Sequence, residues 1–175
     1  YYSCVYKLTD EGLTVKNTVV DFLQTPWTEK QQELPAFYTV SALDNFWFYD
    51  GDKPWTGDEL RVERDLPFWA GKPAFQLKGG NNETWCAWTN DSDYGVGLFT
   101  PKATSLLAGR YQYDGSADAG SDSTNYVAPL GVFGLEFDKP FSYYYYLTAG
   151  NVDEIRDSFS SIGNLQGGDF RRVFP

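Results

Sequence analysis

The chain has 175 residues, enough for one domain with a sizeable core, and 18% of them are aromatic while methionine and histidine are both absent. Without histidine the commonest general base, the Ser-His-Asp triad and most transition-metal ligand sets are excluded, which leaves carboxylates, tyrosines, lysines or a hard cation for any chemistry. A net charge of −10 argues against nucleic acid, anionic polysaccharide and anionic membrane as partners, and suits neutral glycans, calcium or simple solubility.

In chain order, Tyr2 to Thr9, the turn Asp10-Glu11-Gly12 and Leu13 to Phe22 read as an opening hairpin. Gln24 to Pro35 is polar with two prolines and reads as a long loop carrying Trp27. Short strands are expected at Ala36 to Val40, Phe46 to Tyr49, Glu59 to Glu63 and Ala74 to Leu77, with a turn at 50–54 and breakers at Pro67 and 71–73. Trp85 to Trp88 and Val96 to Phe99 form a second predicted hairpin around 90–93. Ala108 to Tyr113 is a further strand, and the small-residue segment 114–123 reads as a mobile or ligand-ordered surface loop. Val132 to Phe137 and Ser142 to Leu147 are the last long strands. Asn151 then caps a helix over Val152 to Ile162, with Glu154 completing a capping box, Ile155, Phe159 and Ile162 forming the buried stripe, and Gly163-Asn164 ending it. The pattern predicts an all-β, antiparallel β-sandwich with one short C-terminal α-helix, in a single domain over 1–175.

Several phrases resemble large β-sandwich (supersandwich) domains of secreted carbohydrate-active proteins, including the aldose-epimerase type. They are Tyr6 to Val15, Gln32-Glu33-Leu34-Pro35-Ala36, Tyr49 to Trp55, and Trp85 to Pro101. The resemblance implies a β fold and a glycan ligand. The epimerase-type catalytic histidines have no counterpart here, so nothing about catalysis carries over.

Three signals set the expected compartment. The sequons at Asn82 and Asn90, the chain start at Tyr1 rather than methionine, and the cysteine pair together point to a secreted, extracellular glycoprotein, either a processed mature chain or a segment of a longer one. Cys4 and Cys86 each lie in a strand-like segment. A disulfide between them would close a loop of about 80 residues, worth roughly 4 kcal/mol; two buried free thiols are the alternative. No apolar run approaches the roughly 18 residues that a membrane-spanning helix needs.

Sugars stack on aromatic rings, so the runs Phe46-Trp47-Phe48-Tyr49 and Tyr143 to Tyr146 are the first places to look. Successive strand residues face opposite ways, so half of each run belongs to a core and half is free to meet a ligand or a second layer. The candidate ligand-binding residues are Trp27 and Trp55 in loops, where anchoring the loop to the sheet is the alternative, together with Tyr49, Trp88, Tyr144 and Tyr146, where a second buried layer is the alternative. Trp47, Trp69 and Trp85 are expected to pack. Among the carboxylates, Glu33 sits beside Leu34-Pro35-Ala36 and is the expected desolvated acid of a glycosidase pair. Asp91 and Asp93 are candidate ligands for Ca²⁺, the one cofactor considered beside none. Arg156, Arg171 and Arg172 are expected to pair with surface acids. Three functions follow: a carbohydrate-binding module for a polysaccharide or oligosaccharide, a glycoside-active enzyme, or a self-associating filament or coat protein.

Overall fold

A computed structural model describes residues 1–24, 27–68, 74–77 and 82–165. Trp69, Arg171 and Arg172 lie outside the described residues. In chain order the elements are β1 (Tyr2–Thr9), β2 (Gly12–Val20), β3 (Trp27–Glu33), β4 (Phe37–Val40), β5 (Asn45–Phe48), β6 (Arg61–Glu63), β7 (Ala74–Gln76), β8 (Trp85–Thr89), β9 (Tyr94–Phe99), β10 (Ser105–Tyr111), β11 (Thr124–Leu135), β12 (Pro140–Asn151) and α1 (Val152–Leu165). They build the antiparallel sandwich that the sequence predicts. A seven-stranded sheet runs β1-β2-β12-β9-β8-β5-β6, and a second sheet runs β3-β11-β10-β7, with β4 pairing along β11 beyond the end of β3.

Between the sheets, Phe46, Phe48, Cys86, Trp88 and Leu98 of the larger sheet meet Leu106, Ala108 and Val127 of the smaller. The residues of opposite parity, Trp85, Ala87, Phe99 and Tyr146, are buried on the other face of the larger sheet under Val152, Ile155, Phe159 and Ile162 of α1. The centre of that sheet is therefore covered on both sides. This is why all five residues of β8 are buried and why opposite parity does not leave Trp85 or Trp88 at the surface.

The capping box forms as predicted: the Glu154 N–H donates to Asn151 Oδ1 (3.0 Å), and the Asn151 N–H donates to the Glu154 carboxylate (2.9 Å). The helix continues past its predicted end. Gly163 stays helical, and a Cβ there would come within 2.7 Å of the Trp55 ring, so this glycine permits a close contact rather than terminating the helix.

Other expectations change, and β11 begins at Thr124 rather than at the expected Val132. The segment read as a loop around Trp27 is strand β3, an edge strand exposed at every residue. It is held by main-chain pairing with β11, so its side chains need no apolar alternation. The predicted Cys4–Cys86 disulfide does not form, and both thiols are free. Cys4 on β1 and Cys86 on β8 are separated within one sheet by β2, β12 and β9. At strand spacing that is roughly 19 Å, far beyond the reach of a bridge. Cys86 is fully buried, which pushes its thiol pKa well up, whereas the Cys4 thiol donates to Asn17 Oδ1 (3.2 Å).

The segment 114–123 is organised by its own polar groups. Asp114 accepts from the Ser41 and Ser121 hydroxyls and the Ser116 N–H, each at 2.8 Å, and these bonds hold its carboxyl down to about 2.

Candidate functional site

The expected binding residues do not converge. Tyr49, Trp88 and Tyr146 are at most 1% exposed, so no ring face is open to a sugar. Trp88 is packed between the sheets. Tyr146 lies under α1, and the Tyr49 hydroxyl is engaged by the Lys53 N–H (2.8 Å) and by Asp58 Oδ2 (3.3 Å). Tyr144 is partly buried against the helix-side cluster, with Lys16 Nζ 5.8 Å from its ring centre. Trp55 meets Phe99 edge-on and acts as a loop anchor. Trp27 alone is largely exposed, at 54%, on the outer edge at β3. Glu33 is exposed on the same edge strand and not in the desolvated position expected of it, because nothing apolar covers β3.

The metal and sequon positions are also placed. Asp91 and Asp93 are exposed on the β8–β9 turn, and among the described residues no group of three or more His, Cys, Asp or Glu side chains is placed to hold a metal ion. Asn82 is exposed. Asn90 shapes the same turn, its Oδ1 accepting from the Ser92 N–H (2.9 Å) and the Tyr94 N–H (3.1 Å).

A different set of residues forms a broad depression on the helix side of the molecule. Trp47 is one step out of phase with Phe46 and Phe48, so its indole leaves the inter-sheet core and faces α1. Its Nε1–H donates to Thr89 Oγ1 (3.0 Å), which fixes the ring orientation. Leu60 and Val62 extend this apolar wall. Asp58, Glu59, Asp93, Asp153, Asn151 and Arg156 complete a groove of about 720 Å³. The start of α1 forms one bank and the 57–60 segment the other.

A buried ion pair holds both banks. Glu83 is fully buried and accepts from the Trp55 N–H (2.5 Å), Trp85 Nε1 (3.0 Å) and Arg156 Nε (2.7 Å) and Nη2 (3.2 Å). Arg156 Nη1 also donates to the Asp58 carbonyl oxygen (2.6 Å), and its guanidinium lies 5.4 Å from the Tyr49 ring centre. One carboxylate thus ties the loop, the sheet and the helix together. In sequence Glu83 is one of six candidate loop carboxylates, with Glu33, Asp50, Asp52, Asp58 and Glu59, and Arg156 one of several C-terminal arginines, expected to meet surface acids. Nothing local marks them as partners 73 residues apart. Trp47 carried a readable signal in its parity against Phe46 and Phe48.

A second, more apolar cleft of about 340 Å³ opens where the sheets part. Leu34, Gly131 and Phe133 line it from the smaller sheet, and Phe141 and Tyr143 from the larger. Phe133 and Phe141 stack across it with centroids 3.9 Å apart. No protein-family model matches the chain, and no curated protein matches it either.

Proposed function

We propose that this is an extracellular carbohydrate-binding β-sandwich module that takes a neutral glycan in the groove beside Trp47. The observation that carries the reading is the composition of that groove. An oriented, partly buried indole lies among three exposed carboxylates and the Asn151 amide, with Arg156 at the base. Pyranose rings present apolar C–H faces to an indole and hydroxyls to planar polar side chains, so this mixture suits them. The −10 charge favours a neutral chain over an anionic one.

The test is a glycan array and retention on the best-bound polysaccharide, comparing the native chain with Trp47→Ala and Glu59→Ala. Loss of the stacking ring should weaken retention at least about tenfold, and loss of the exposed Glu59 carboxylate by a smaller factor. Unchanged thermal melting of Glu59→Ala separates binding from folding. An array without a ligand for the native chain, or full retention by Trp47→Ala, overturns the reading. Release of reducing ends from a bound glycan, lost in Glu59→Gln, would replace it with hydrolysis.

A further inference from the structure

We infer that the outer edge of β1 pairs antiparallel with β1 of a second copy, closing a two-fold symmetric dimer centred on Val5. The inference is independent of the glycan reading and starts from the main chain. Tyr1 and Val20 exchange both of their hydrogen bonds, Val20 N–H to Tyr1 O (2.9 Å) and the Tyr1 amine to Val20 O (2.8 Å). In an antiparallel ladder such pairs alternate, so Ser3, Val5, Lys7 and Thr9 point their N–H and C=O groups at β2. Tyr2, Cys4, Tyr6 and Leu8 therefore point theirs away from the sheet. Among the described residues nothing pairs with them. A row of outward donors and acceptors calls for a β-strand rather than for a helix or a small molecule.

The residues of β1 decide which strand. An antiparallel copy must set outward groups against outward groups, which permits only registers in which even residues face even residues. Of these, the register that places Val5 opposite Val5 engages the most. It joins Tyr2 with Leu8 and Cys4 with Tyr6 in both directions, giving about eight main-chain hydrogen bonds, two from each such pair. Registers centred on Cys4 or Tyr6 each lose one pair. In the Val5-centred register Tyr2, Cys4, Tyr6 and Leu8 of both copies share one face, while Ser3 opposes Lys7 on the other. Tyr2, Val5, Tyr6 and Leu8 are 48% to 80% exposed, so the pairing covers apolar surface as well.

Charge points the same way. The chain carries 24 Asp and Glu residues, yet the strand Tyr2–Thr9 has none, and Lys7 is its one charge. Two copies of an acidic protein thus meet on the strand that lacks acids. The far edge of the same sheet cannot continue the assembly. β6 has only three residues, and Arg61 is engaged there with Asp50 and Glu63. The contact therefore closes as a dimer and does not propagate into a fibre.

Sedimentation velocity across a concentration series, without sugar, tests this. The native chain should be a reversible dimer. Val5→Glu and Val5→Lys each set like charges across the two-fold axis and should raise the dissociation constant at least about tenfold, whereas mixing the two should restore a mixed dimer. Tyr6→Pro deletes one outward N–H while leaving the β1–β2 ladder intact, and it should weaken the dimer with little change in melting. Hydrogen exchange supplies a second readout: amides of Tyr2, Cys4, Tyr6 and Leu8 should gain protection as protein concentration rises, while those of Ser3, Val5 and Lys7 stay protected throughout. A native monomer at submillimolar concentration, a dimer indifferent to the charges at position 5, or open-ended assembly would each overturn the inference.

Discussion

The two ends of the seven-stranded sheet are built from similar aromatic-rich strands and have opposite fates. At the β8–β5 end, both faces are covered, one by the second sheet and one by α1, and Trp85, Cys86, Ala87 and Trp88 are all at most 1% exposed. At the β1 end the sheet runs out beyond its cover. Tyr2, Tyr6 and Leu8 share a face with Val15, Asn17, Tyr143 and Tyr145 by register, yet they stay 60% to 80% exposed. The difference teaches that aromatic content does not decide what a strand does here. Position relative to the covering layers decides it.

Substitutions can break that contrast, and the largest effect is expected in the covered end. Trp88→Ala should cost about 3–5 kcal/mol in urea unfolding, whereas Tyr6→Ala should change stability by no more than about 0.5 kcal/mol. Equal costs would mean that the β1 end is packed after all. Next comes the ion pair beneath α1. Glu83→Gln strands the Arg156 guanidinium in a buried site and should cost about 3 kcal/mol, part of which a second change, Arg156→Met, should restore. A wild-type denaturation midpoint for Glu83→Gln would show that the helix-side cover does not depend on this pair. Removing the cap of α1 by Asn151→Ala should cost about 1 kcal/mol, read in the same way.

The smallest expected effect sharpens the comparison at its boundary, on β12. Burial pushes the Tyr145 hydroxyl up to about 12, and Tyr143 is raised by burial as well. A phenol whose folded pKa lies above its unfolded value of 10.0 stabilises the fold fully below pH 10, and that stability is lost as pH rises through about 12. Ultraviolet titration should resolve late-ionising phenols, one fewer of them in Tyr145→Phe; if every tyrosine ionises in one step, the inner row at this end is solvated.

Much of the fold was legible in local pattern. The opening hairpin, the β8–β9 hairpin, the alternating runs on β5 and β12, and the capped helix with its Ile155, Phe159 and Ile162 stripe all rest on periodicities of two or 3.6 and on turn chemistry. β3 was not legible because an edge strand held by its main chain needs no apolar side chains. The site was less legible still. The loop tryptophans drew attention because no core was evident near them, but Trp55 found one through Gly163. Trp47 lies in a strand, where packing is the expected role.

By itself the sequence determined most of the strands, the turns between them, and which side chains of each strand lie on the same face, since these depend on residues within a few positions of one another. The tertiary structure alone decided which face is covered and by what. Pairing Glu83 with Arg156, setting α1 over β8, and leaving β1 beyond the second sheet all join residues far apart in the chain, and no local periodicity encodes such contacts.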